Sequence, residues 1–92
     1  ALRACGRGAL AEQLTRAATS VHANIAEGCG RPRRPDQLRM LGIAWSSLLE
    51  AESHLTEARL IDAVPRDLIA TARVEATRTG ILLAALRRAL ST

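Results

Sequence analysis

Residues 20–30, Ser-Val-His-Ala-Asn-Ile-Ala-Glu-Gly-Cys-Gly, decide the fold of this chain. Side chains three and four positions apart meet along a helix. Ser20, Asn24 and Glu27 therefore share one helical face, and Gly28 and Gly30 follow as a stop. The same face carries Leu14, Ala17, Ala18, Val21 and Ile25, so three polar groups form a seam inside an apolar stripe.

Upstream, the apolar residues keep helical spacing back to Ala9, and the spacing predicts a helix over residues 9–28. Residues 1–8, ALRACGRG, hold two glycines and no sustained period, and read as a stub and a turn. Glycine takes the left-handed conformation that ends many helices, which suits Gly28 and Gly30. Downstream, RPRRP at 31–35 forbids a continuing helix through its prolines and stays hydrated through its arginines.

Pro35 suits the first turn of the next helix, with Asp36 complementing its dipole. Leu38, Leu41, Trp45, Leu48 and Leu55 then mark a seam over residues 35–60, interrupted by Glu52. Ala44, Ala51 and Ala58 repeat every seven residues beside it, a row that lets a neighbouring helix approach closely. A short turn at 61–64 leads to Pro65 and a third helix over 65–90. This helix alternates Ile69, Ala72, Ala76, Thr79, Leu83, Leu86 and Leu90. Arg66, Arg73 and Arg87 flank that seam. Short connections make the neighbours antiparallel, hence an all-α, up-down helical bundle in a single domain. The expected core is Leu14, Ala18, Val21, Ile25, Leu41, Trp45, Leu48, Leu55, Ile69, Ala76, Leu83 and Leu86.

Composition limits that core. Ninety-two residues contain one Trp, no Phe or Tyr, and eighteen alanines. Buried apolar area contributes about 25 cal/mol per Å², so alanine adds little. Such a thin core points to self-assembly, which extends burial across subunits. The net charge of +4 comes from thirteen arginines and no lysine. That balance permits contact with a polyanion, but an arginine-only, alanine-heavy composition is also what a GC-rich genome produces without selection for binding. Cys5 and Cys29 are too few for a disulfide framework and read as reduced thiols of a cytoplasmic protein. No apolar run reaches the roughly 20 residues of a membrane span.

A family resemblance rests on three blocks. Ser20-x-x-x-Asn24-Ile25-Ala26-Glu27-Gly28, followed by Arg31, resembles the four-helix-bundle family first noted as products of intervening sequences within 23S rRNA genes. Ile43-Ala44-x-x-Ser47-Leu48-x-Glu50 looks like that family's third-helix signature, and Gln13-Leu14-x-Arg16-Ala17-Ala18 matches the approach to the first block. The resemblance implies a cytosolic bacterial protein, a four-helix bundle, assembly as a ring of five, and no established enzymatic activity. One branch is implied to serve as an accessory of a reverse transcriptase, engaging nucleic acid through a basic surface. The family's long first helix lies upstream of Leu10, where this chain has only ALRACGRG, so that helix is expected to be short or missing.

Two candidate sites follow. Ser20, Asn24 and Glu27 are expected to face Ser47 and Glu50 across two helices. Buried Asn or Glu is costly unless hydrogen-bonded, so such a seam sets helix register or recognises a partner. Arg31, Arg33 and Arg34, helped by Arg16 or Arg39, form the candidate nucleic-acid contact. Guanidinium forks suit phosphate oxygens, and without aromatic platforms any binding is driven by the backbone. Glu50, His54 and Glu57 share a face but lack the second Glu-x-x-His of a bundle metal site, so His54 reads as a surface residue. His22 and Cys29 lack a third catalytic group. No cofactor, metal or enzymatic activity is expected, and the leading reading is a homo-oligomeric scaffold or interaction module.

Overall fold

The computed structural model describes residues 2–62 and 64–91, with side chains from residue 8 onward. The Cys5 thiol and Ala63 of the predicted turn lie outside the described residues. Three helices follow one another: α1 (Leu2–Gly30), α2 (Arg34–Leu60) and α3 (Arg66–Ser91). Among the described residues there is no strand.

Two expectations for α1 need correction. Residues 2–8 are not a stub and turn but the first turns of the helix. A glycine costs about 1 kcal/mol in a helix interior, which weakens a helix without breaking it, and no proline interrupts this stretch. Gly28 and Gly30 are also helical, and no glycine takes a positive φ. The Arg31 amide donates to Gly28 O at 3.3 Å as α1 ends, and RPRRP does the stopping.

The connection to α2 is held by Gln37. Its Nε2 donates to Arg31 O at 2.8 Å, and its backbone amide donates to Arg33 O at 3.0 Å. Arg33 is the N-cap residue in extended conformation and offers no side-chain cap, while Pro35 occupies the first turn. At the far end the Ile61 amide donates to Glu57 O and the Asp62 amide to Arg59 O. Asp62 turns the chain with φ of 53°, a left-handed conformation that Asp tolerates. Pro65 O then accepts from the Leu68 and Ile69 amides, which starts α3.

Helix α2 is central and packs against both α1 and α3, which scarcely touch each other. Contacts fix both pairs as antiparallel. Ser20 meets Ser47 between α1 and α2, while Thr56 meets Arg73 and Trp45 meets Arg87 between α2 and α3. The alanine row lies at the centre: Ala44, Ala51 and Ala58 are all buried. Ala58 clusters with Leu10 of α1 and Ile69 of α3; Ala44 clusters with Leu41 and Leu83.

Of the expected core, Val21, Leu41, Leu48, Leu55, Ile69 and Leu83 are buried. Leu14, Ile25, Trp45, Ala76 and Leu86 are half-buried, and Ala18 is exposed. Ala17 takes the inward position beside it. Adjacent alanines cannot be phased by hydropathy alone, because both satisfy the apolar period.

Gly28 serves close approach of α1 to α2 rather than the helix stop expected of it. A Cβ there would sit 3.2 Å from Leu41 Cδ2 and 3.3 Å from Gln37 O, and Leu41 is fully buried. Gly42 has open space around it. Urea unfolding should therefore separate two chemically identical changes. Gly42→Ala is expected to stabilise by about 0.5–1 kcal/mol through helix propensity. Gly28→Ala is expected to destabilise by about 1 kcal/mol, because α1 must move off α2.

Candidate functional site

The polar seam contracts to three residues. Ser20 Oγ and Ser47 Oγ lie 2.7 Å apart across the α1–α2 interface, and Ser47 is buried. Asn24 Nδ2 donates to Ser20 O at 2.8 Å and to Ser20 Oγ at 3.1 Å. The Asn side chain thus braces the serine that bridges the helices. An unpaired hydroxyl in such a place costs about 1–3 kcal/mol, so only one axial alignment of α1 on α2 satisfies both serines.

Glu27 and Glu50 do not join that seam. Glu27 turns to solvent and pairs with Arg31 at 3.0 Å, one turn along and with both groups about half exposed. Glu50 is 63% exposed and lies beside His54, Nε2 to Oε1 being 3.5 Å. Keeping a carboxylate largely hydrated outweighs the gain from the weak donors an alanine-rich interface offers. His54 itself is a correction: its side chain is only 14% exposed, and neither ring nitrogen has a hydrogen-bond partner. At 3.5 Å the Glu50 contact is too long for a hydrogen bond.

The candidate arginine set divides. Arg31, Arg33 and Arg34 occupy the α1–α2 connection and are exposed. Arg31 is already engaged by Glu27. Arg16 is fifteen residues back along α1, about 22 Å at the helical rise, and pairs with Glu12 at 3.8 Å. Arg39 is exposed on α2. One patch does not gather all five. His22 and Cys29 are both exposed on α1.

A feature that spacing alone did not reveal is a groove between α1 and α3 with α2 as its floor. It encloses about 300 Å³ and is lined by Leu14, Ala18 and Val21 from α1, Leu48, Ala51 and Leu55 from α2, and Ala72, Ala76 and Thr79 from α3. His22 and Glu75 stand at it as well. The expected packing seam of α3 is therefore partly open. Period-seven patterning marks a face as apolar, but not whether a neighbour within the chain covers it.

The remaining exposed large apolar side chains are divided between α2, with Ile43, Leu49 and Leu60 and then Ile61 just after it, and α3. Leu68, Val74, Ile81 and Leu82 are at least half exposed, Ile81 reaching 66%. No described helix is long and apolar enough to cross a membrane.

Comparison with known proteins adds one finding. The model of a family described as 23S rRNA-intervening sequence protein matches residues 2–85, nearly the whole chain. No curated protein matches the chain.

The serine bridge is open to a double-mutant cycle. Ser20→Ala and Ser47→Ala should each lower stability in urea unfolding, and the pair should show a coupling of about 0.5–1.5 kcal/mol. Strict additivity would mean that the two hydroxyls do not interact.

Proposed function

The chain belongs to the 23S rRNA-intervening sequence protein family; within it, we propose a non-enzymatic role in which copies of this helical unit assemble into a cytoplasmic homo-oligomer that acts as a scaffold or interaction module. The ring of five that the family resemblance implies is the assembly we propose. The supporting observation is surface left uncovered by the single chain.

That surface is large for the mass. The chain exposes 6269 Å², where a compact monomer of 9.8 kDa exposes about 5,200 Å². Its radius of gyration is 14.9 Å, against about 12 Å for a compact domain of this length. The molecule is a slab of 49 × 21 × 14 Å. The excess, roughly 1,000 Å², is of the order that each partner contributes to a standard interface, about 800 Å².

A second copy is the occupant that best suits this surface. The exposed face of α3 includes Val74 and Ile81 one heptad apart, with the Glu75–Arg78 ion pair beside them, and the groove is apolar along most of its length. Neither surface carries a dense charge field that would select an oppositely charged partner. The alternative, backbone contacts to RNA or DNA through Arg31, Arg33 and Arg34, has no geometric observation in its favour.

Light scattering at micromolar concentration should return a mass near five chains, or another integral multiple above one. Ile81→Glu places a carboxylate on the exposed α3 face and should shift that mass towards one chain while circular dichroism keeps its helical signal. A wild-type protein with the mass of a single chain would overturn the proposal.

A further inference from the structure

At the end of the bundle formed by the α2–α3 turn, three arginines surround a second, smaller pocket. Arg59 comes from the last turn of α2, and Arg66 and Arg73 from α3. The pocket encloses about 230 Å³, and Ile69 and Ala70 complete its lining. On α3 the order Arg66, Ile69, Ala70, Arg73 is i, i+3, i+4, i+7, one continuous helical face with a cation at each end and an apolar middle. Arg59 joins it across the turn.

No carboxylate among the described residues neutralises the charges there. Among the described residues, carboxylates pair with Arg16, Arg31, His54 and Arg78, and none pairs with Arg59, Arg66 or Arg73. Asp62 and Asp67 belong to the same turn region without bridging to them. Arg66 also opens α3, where the helix dipole already places partial positive charge, so a cation there is unfavourable in isolation. Such a local conflict is relieved when an anion sits against it. Arg73 is already oriented: its Nη2 donates to Thr56 Oγ1 at 2.8 Å, and the remaining N–H donors are left for another acceptor.

We propose that this pocket binds a small phosphate ester, the phosphoryl oxygens received by Arg59, Arg66 and Arg73 and the body of the ester resting against Ile69 and Ala70. Guanidinium forks match phosphate oxygens in geometry and charge, and an apolar lining rewards an organic substituent over a bare ion. The size of the pocket favours a small molecule over a nucleic-acid strand. So does the absence of a base-stacking platform, since the sole aromatic residue, Trp45, is half-buried beneath Arg87. The site shares no lining residue with the groove.

Calorimetric titration of the full chain in low-salt buffer tests it, with inorganic pyrophosphate, a nucleoside diphosphate and a single-stranded oligonucleotide as probes. Saturable binding of both small probes at one per chain is expected, the nucleoside diphosphate binding more tightly. The double substitution Arg59→Gln with Arg73→Gln should weaken it by at least about tenfold. Ala70→Glu supplies an internal carboxylate at an exposed position and should abolish binding while the helical signal is retained. Replacing Arg31, Arg33 and Arg34 together by Gln removes more charge elsewhere and should change affinity less than about twofold. Equal losses in the two arginine variants would reduce the effect to net charge and overturn the site. Binding of the oligonucleotide without either small probe, or no saturable binding at all, would overturn it equally.

Discussion

The three helices of this protein meet on alanine. Ala44, Ala51 and Ala58 run along α2 where α1 and α3 both reach it, and each is almost completely withdrawn from solvent. Small side chains let helices approach closely, and the glycines reinforce that geometry from the flanking helices. Gly28 of α1 lies against Leu41 and the Gln37 carbonyl, while a Cβ on Gly80 of α3 would sit 3.4 Å from Leu48 Cδ2. Close approach gains dispersion contacts, but it removes little apolar area per residue. A tightly spaced, area-poor interior is the consequence, and the slab-like shape with its open groove follows from it.

Within that interior, specificity has to come from something other than side-chain bulk. Rows of alanine fit against each other at more than one axial offset. The Ser20–Ser47 contact, braced by Asn24, removes that ambiguity for α1 on α2, because a slip of one turn would strand the hydroxyls. On the other side, Trp45 supplies the one bulky shape, packed near Gly80 and covered by the Arg87 guanidinium at 5.8 Å from its ring centre. A few polar and aromatic contacts set the register, and alanine sets the spacing.

Much of this was legible in the residues. Helical period, prolines and short connections were enough to place three antiparallel helices and the alanine row, and the Asn-Ile-Ala-Glu-Gly block pointed to the family. What could not be read shares a physical origin. Glycine was read as a helix stop at Gly28, because its alternative use, admitting a neighbouring helix, depends on a surface that only tertiary structure supplies. Glu27 and Glu50 share spacing with genuinely buried polar groups, and spacing does not distinguish a face at the interface from one a turn away in water. His54 was read outward and lies mostly inward. The three-arginine pocket needed Arg59, which reaches it only across a turn; the i, i+3, i+4, i+7 run from Arg66 to Arg73 was the part of its signal present in one helix.

The central claim is that folding and association of this chain are coupled through the apolar surface one copy leaves open. Such coupling makes thermal stability depend on protein concentration by mass action. Melting followed by circular dichroism over a hundredfold range of concentration is the most direct measurement. The account predicts a transition midpoint that climbs steadily as concentration rises; a midpoint fixed across the whole range would contradict it.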